Sequence, residues 1–364
     1  MKKIFLIASK SDMVITFRKA LIKYLQSNGC EVGVIAQDNN REEDIRALGV
    51  SFFCVEQDNR ALNPFSMIKY QKEITKILVK EKPDTVFTFQ LKPNIFGVKS
   101  AKKAGIKNIF SMVEGAGDVF INNTLKWKLI RFVVCKLYKS AFKHVKKVFF
   151  LNNDDKTEFL ERKLVKQEQC EIIHGIGVDL DYFAFKPIKS YKTFLMVARM
   201  LKTKGVYEYC QCARIVKQKY PDAVFNYLGA EGTVKLSDIQ EYIDDGSIHY
   251  LGVAKDVRPY LEDCSVFVLP SYREGISMSI MEAEATGRAI LTSDNVGCRD
   301  AIVDGDNGFL VAKTDYQALA GKCCEFIINQ QKIVEMGKNS RKLAENQFDC
   351  NIINQRIYEV ICSQ

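Results

Sequence analysis

The feature that most constrains this chain is an alternation that runs, stops and starts again. "KIFLIAS" (3–9) is an apolar strand, "TFRKALIKYLQSNG" (16–29) has helical spacing and closes on Gly29, and "CEVGVIAQ" (30–37) is a second strand. The rhythm continues through a helix at "SMIKYQKEITKILVKEK" (66–82), a strand at "DTVFTF" (84–89) and another at "KNIFSMVEG" (107–115). It then passes through a long basic helix to a strand at "KKVFFLN" (146–152) and a helix at "DKTEFLERKL" (155–164). Strands alternating with helices predict an α/β fold with a parallel sheet covered on both faces. "KPIKS" (186–190) carries a proline and no periodicity, and is the expected linker. After it the pattern resumes from "KTFLMVARM" (192–200) to "FLV" (309–311), and the last fifty residues look helical. The expectation is two units, residues 1–185 and 186–345, with a final helix in 346–364 returning to the first. Such sheets bind ligands beyond the carboxyl ends of their strands, which for two facing units means the cleft between them.

Several classes are disfavoured. No run of about 18 apolar residues offers a spanning helix. The start "MKKIFLIASKSD" has too short an apolar run for a signal peptide and reads better as a buried strand. The twelve cysteines include no CxxC pair, and with only three histidines a zinc site has little to draw on. Dispersed cysteines without a leader imply reduced thiols and a cytoplasmic protein. The net charge of +9 is uneven: residues 1–185 hold 31 Lys/Arg against 21 Asp/Glu, and the remainder 22 against 23. A basic first half suggests a polyanionic partner.

The first strand is followed by "ASKSDMVIT" rather than GxGxxG, which argues against a dinucleotide-dependent dehydrogenase, and there is no P-loop. "MVARMLKTKGV" (196–206) ends a strand with Arg199 and places Lys204 where a helix begins. Two cations there suit a diphosphate, although two solvated surface cations would have the same spacing. "SYREGISMSIMEAEATG" (271–287) sets Glu274 before Gly275 and Glu282 eight positions on. Ser279 and Glu282 could form a capping box, S-x-x-E, which would leave Glu282 structural but Glu274 unexplained. A carboxylate can also accept both hydroxyls of a ribose.

"VARMLKTKG", "HYLGVAKDV" and "FVLPSYREGISMSIMEAEATGRAILTSDNVGCRDAIVDGDNGFLV" resemble the C-terminal domain of glycosyltransferase family 4, strongly over about 190–330 and more weakly in the first half. "ALNPFSMIKY", "VEGAGDVF" and "RFVVCKLYKSAFK" resemble bacterial members that build lipid-linked oligosaccharides or capsular polysaccharide. The resemblance implies the GT-B fold, two Rossmann-like domains, and transfer with retention from a nucleotide-sugar, UDP-linked, to a lipid-linked saccharide. It implies an acceptor role for the first domain and a nucleotide-sugar role for the second. Arg199 and Lys204 match the donor-diphosphate pair. Glu274 matches the carboxylate at the donor sugar and Glu282 the one at the ribose. Amides from Gly275 through Ser277, Met278 and Ser279 would bind phosphate, and the backbone near Leu251 would pass the base. No cofactor or metal is implied: Asp179 and Asp181 in "VDLDYF" fall in a turn before the linker. Many relatives carry His where this chain has Glu114, which leaves Glu114 to bind a sugar hydroxyl or the acceptor, or to be a plain loop carboxylate. The first loop lacks the usual glycine pair, so "SKS" (9–11) and Asp12 would serve instead.

Residues 126–147 hold eight Lys/Arg and no acid. Lys128, Arg131, Lys139, Lys143 and Lys146 fall near one stripe, and Ile130, Val133, Val134, Leu137 and Tyr138 near the opposite one. Such a helix could lie on anionic lipid, at the inner face of the membrane, or pack on a core with its charges solvated. No aromatic ladder accompanies the charge, so no nucleic acid partner is expected. The competing functions are epimerisation of a sugar nucleotide on the same fold and non-catalytic nucleotide-sugar binding.

Overall fold

The computed structural model describes residues 1–56, 64–115, 118–121 and 124–362. The chain forms two compact units, one made of Met1–Ile176 with Cys350–Gln364 and the other of Gly177–Asp349. In the first, seven strands build one parallel sheet: β1 (Lys3–Ile7), β2 (Glu31–Ala36), β3 (Ser51–Cys54), β4 (Thr85–Phe89), β5 (Asn108–Val113), β6 (Lys147–Phe150) and β7 (Cys170–Ile172). Their order is β3-β2-β1-β4-β5-β6-β7. In the second, β8 (Thr193–Val197), β9 (Val224–Leu228), β10 (His249–Tyr250), β11 (Val266–Leu269), β12 (Ala289–Ser293) and β13 (Gly308–Val311) pair in the order β10-β9-β8-β11-β12-β13. All the pairings are parallel.

The central strands are buried on both faces, which is why they read as unbroken apolar runs: Ile4 to Ile7 and Val266 to Leu269 are all at most 1 % exposed. In each sheet the chain builds outward from the first strand on one side, then returns to its other side. The switch points therefore lie between β1 and β4 and between β8 and β11, and loops that leave the carboxyl ends there diverge to open a site.

Two boundaries differ from those read from the sequence. The first long helix runs Ser11–Ser27 rather than from 16. Ser11 is buried, its hydroxyl bonded to Asp38 and accepting from the Arg41 amide at 3.1 Å, so it is committed within the fold. The segment 177–190 belongs to the second unit. Val178 donates its amide to Phe348, Arg341 donates to the carbonyls of Leu180 and Phe183, and Lys186 donates to Thr286 at 3.1 Å. The fully buried Arg288 completes the tie, its guanidinium donating to the carbonyls of Lys186, Cys264 and Thr286. The helix Cys350–Cys362 packs in the first unit, with Tyr358 edge-on to Tyr24.

The basic helix spans Leu125–Phe142. Val134, Tyr138, Ala141 and Phe142 are buried, and Ile130 and Leu137 pack against the core. Two members of the expected stripes fall elsewhere: Val133 is exposed, and Arg131 donates to the Val119 carbonyl at 2.8 Å. Among the described residues no helix is long and apolar enough to cross a membrane.

Candidate functional site

In the second unit the loop after β8 makes a single turn, Lys202–Lys204, and hands over to the helix Val206–Lys219 through Gly205. Gly205 has φ +77°, and a Cβ there would collide with the carbonyl of Pro270 at the end of β11. The two switch-point loops thus touch through a residue that only glycine fits. They are stitched further by the Tyr272 amide and the Ser271 hydroxyl, which both donate to the Thr203 carbonyl, at 2.8 and 3.1 Å. This brings Lys204 to Glu274, Nζ to Oε1, at 2.5 Å. Gly297, from the loop after β12, packs so closely on the carbonyls of Glu274 and Gly275 that a side chain would displace them, and the Glu274 amide donates to Val296 at 3.0 Å. Glu274 is therefore held from three loops.

The helix Met278–Ala285 follows. Its N-cap is Ser277, whose hydroxyl accepts from the Ile280 amide at 3.4 Å and lies 3.1 Å from that of Ser279. The capping box from Ser279 to Glu282 does not form, because Ser279 is already in the first turn. Glu282 is thereby released from a capping role and sits in the second turn, half-buried, where burial pushes its carboxyl up to about 7. Glu284 is fully buried, bonded by Asn307 at 2.8 Å, and burial raises its pKa as well. The first amides of this helix precede its first internal bond, Met281 to Ser277, and form an anion-binding end.

Arg199 lies two residues past β8, exposed, and among the described residues its side chain makes no ion pair. Leu251, one residue past β10, is half-buried, its amide donating to Tyr227 at 2.8 Å. Both stand at the carboxyl edge of this sheet, as do Lys204 and Glu274. A partly exposed lysine, an exposed arginine and a helix start can together neutralise a diphosphate, while the neighbouring carboxylates accept hydroxyls. The Asp179 carboxylate accepts the amides of Asp181 and Tyr182, at 3.1 and 2.9 Å, as a turn does.

Glu114 belongs to the first unit, one residue past β5. Arg18 forms an ion pair with one of its oxygens and the Gln90 amide donates to the other. Sequence reasoning missed both partners. The signal was there: Arg18 occupies an apolar position of its helix, in line with Val14, Leu21, Ile22 and Leu25, and is buried with them.

Residues 3–152 match the family described as glycosyl transferase 4-like, and residues 191–329 match glycosyl transferases group 1. The chain is 32 % identical over 354 residues to N,N'-diacetylbacillosaminyl-diphospho-undecaprenol alpha-1,3-N-acetylgalactosaminyltransferase of Campylobacter jejuni, covering 93 % of each. It is 27 % identical over 331 residues to the UDP-Gal:alpha-D-GlcNAc-diphosphoundecaprenol alpha-1,3-galactosyltransferase of Escherichia coli, covering 85 % of this chain and 81 % of the other. Among solved structures, Anabaena HepE in complex with UDP superposes with a TM-score of 0.82 at 16 % identity, covering all of both chains. A glycosyltransferase from Rickettsia africae gives 0.80 at 18 %, covering 100 % of this chain and 98 % of that one. The chain belongs to the group 1, family 4-like glycosyltransferases and has their GT-B fold.

Proposed function

We propose that the protein moves a sugar from a UDP-linked donor to a saccharide carried on undecaprenyl diphosphate, with retention, in the assembly of a bacterial glycan. The observation that carries this reading is the Lys204–Glu274 pair at the second switch point, 2.5 Å apart, beside the start of the helix Met278–Ala285. Breaking a sugar–phosphate bond leaves negative charge on the departing nucleoside diphosphate. Lys204, Arg199 and the amides of Ser277, Met278 and Ser279 stabilise that charge as it develops. Glu274 accepts from hydroxyls of the donor sugar and keeps Lys204 oriented, and Glu282 accepts from the ribose. Backbone groups near Leu251 take the base.

Two relatives support the acceptor and the stereochemistry. Both are named for α-1,3 transfer to a 2-acetamido sugar on diphospho-undecaprenol. A UDP-galactose-type donor carries its sugar α-linked, so an α product means retention. HepE structures with UDP and with UDP-glucose support the donor type.

A lipid-linked acceptor calls for a membrane-facing surface, and the helix Leu125–Phe142 offers one. Leu125, Leu129, Phe132 and Val133 are exposed, with Lys126, Lys128, Lys136, Lys139 and Lys143 exposed around them. A cavity of about 610 Å³ beside this helix is lined by Lys139, Lys143, Lys163 and Lys166. Apolar side chains flanked by lysines suit an anionic lipid surface, which supports a peripheral position on the inner face of the membrane.

The test is transfer from UDP-galactose or UDP-N-acetylgalactosamine to GlcNAc-diphospho-undecaprenol or N,N'-diacetylbacillosaminyl-diphospho-undecaprenol. The expected product is α-linked. Lys204→Ala and Glu274→Ala should lose transfer about 100- to 1,000-fold while keeping the wild-type melting temperature. Undiminished transfer by both variants overturns the site, and conversion of the donor alone would show an epimerase instead.

A further inference from the structure

We infer that Arg18 and Gln90 are positioning residues that hold Glu114 as a fixed hydrogen-bond acceptor for a sugar hydroxyl at the switch point of the first sheet. This rests on the reading of the protein as a saccharide-to-saccharide transferase.

Glu114 follows β5, Gln90 follows β4 and Ser9 lies two residues past β1, so the group stands at the carboxyl edge on the strands that flank the switch point. Arg18 reaches it from the helix Ser11–Ser27. Arg18 is buried, its guanidinium centre 4.2 Å from the ring of Phe89 and one nitrogen 3.4 Å from the sulfur of Met112. Its other contacts are the Phe17 carbonyl at 3.1 Å and Glu114, and its Nε is buried without a partner. A cation in such surroundings is costly, and burial lowers its pKa to about 9, still charged at neutral pH. Well-packed apolar residues would often serve stability as well. An ion pair kept there suggests a use for its accessible member.

That member is the carboxylate. Of the pair, the Arg18 side chain is 3 % exposed and Glu114 17 %. The Lys204–Glu274 pair of the second unit is reversed, with the lysine 27 % exposed and the glutamate 11 %. A cation turned outward meets an anion; a carboxylate turned outward meets donors.

Gln90 fixes the second oxygen. It adopts φ +65°, one of four non-glycine residues in the left-handed region among those described, and the one that directly follows a strand. The Ser9 amide donates to Gln90 Oε1 at 3.0 Å, which turns the Gln90 amide nitrogen toward Glu114. With one donor on each oxygen, Glu114 keeps a lone pair on each side and can only accept. Its ligand must bring O–H or N–H, as a sugar does. The hydroxyl could come from the donor or the acceptor sugar, and the kinetics separate the two.

The test is steady-state transfer with UDP-N-acetylgalactosamine and GlcNAc-diphospho-undecaprenol, in wild type, Glu114→Gln, Arg18→Met, the double variant and Gln90→Asn. Asparagine tolerates the left-handed backbone but falls short of Glu114. Losing a hydrogen bond to a charged group should lower kcat/KM about 10- to 100-fold in Glu114→Gln. The loss should appear in the KM of one substrate, which names the source of the hydroxyl. Arg18→Met should lose about 10-fold alone and nothing further in the Glu114→Gln background, because coupled residues are not additive. Gln90→Asn should lose a few-fold. Calorimetric affinity for UDP, which has no transferred sugar, should stay at the wild-type value in all four. If the wild type does not turn this pair over, the transferase reading fails for these substrates, and equilibrium binding of the same two substrates reads the coupling instead. Wild-type behaviour of Glu114→Gln, or an equal loss from Arg18→Met in both backgrounds, overturns the inference.

Discussion

The two switch points carry the same pair of charges with opposite faces outward. At the second, Glu274 is gripped by loops after β8, β11 and β12, and Lys204 is the more accessible partner. At the first, the cation is sealed among Phe89 and Met112, and Glu114 is the more accessible partner. Two sheets of similar topology therefore present different chemistry at their carboxyl edges. The burial order of each ion pair sets which charge is the more accessible at its switch point.

The largest effect is expected at the second switch point. Lys204→Ala removes the outward cation and should cost about 100- to 1,000-fold in kcat, the loss typical of one electrostatic group at a developing charge. Steady-state turnover reads it. Arg199→Ala should weaken UDP binding about 10- to 100-fold, as expected for one charge-assisted bond, measured by calorimetry.

Burial raises the carboxyls of Glu282 and Glu284 in the folded protein, Glu282 to about 7 from 4.5. Their protonated forms favour the native state. That stability is fully present below the unfolded value and is lost as pH rises through about 7, up to about 3 kcal/mol for Glu282. The melting temperature of the unliganded protein should fall from pH 5 to pH 8, and Glu282→Gln should flatten part of that slope. The remainder belongs to Glu284, so an unchanged slope in Glu282→Gln would contradict the burial described for Glu282.

The smallest effect lies outside both pairs. Leu129→Glu with Phe132→Glu should reduce sedimentation with vesicles containing anionic phospholipid about 10-fold, with little change in melting temperature, because both side chains are exposed. Charge-neutral vesicles should show weaker binding from the start.

Much of the second candidate site could be assembled from the sequence because its residues are local in it. Lys204 and Gly205 lie in one loop, Glu274 to Glu282 in another, and glycine punctuation marks both. Of the first site only Glu114 was legible, because Arg18, Gln90 and Glu114 come from three separate segments and meet through the order of β1, β4 and β5. The arginine in an apolar stripe was visible, but its partner is 96 positions away (114 − 18). Helix starts were also hard to place. Ser11 reads as a loop residue until Asp38 is brought beside it, and Ser277 competes with Ser279 for one cap. The three-residue strand β7 is too short to carry a periodicity. The "KPIKS" segment looks like a linker because nothing local shows that Arg288 and Thr286 will bind Lys186.

The most direct test of the account is calorimetric titration of UDP and of uridine into wild type, Arg199→Ala, Lys204→Ala and the double variant. Wild type should prefer UDP strongly, and the preference should shrink in each single variant and nearly vanish in the double, with uridine affinity constant throughout. Equal UDP affinity in all four proteins would contradict it.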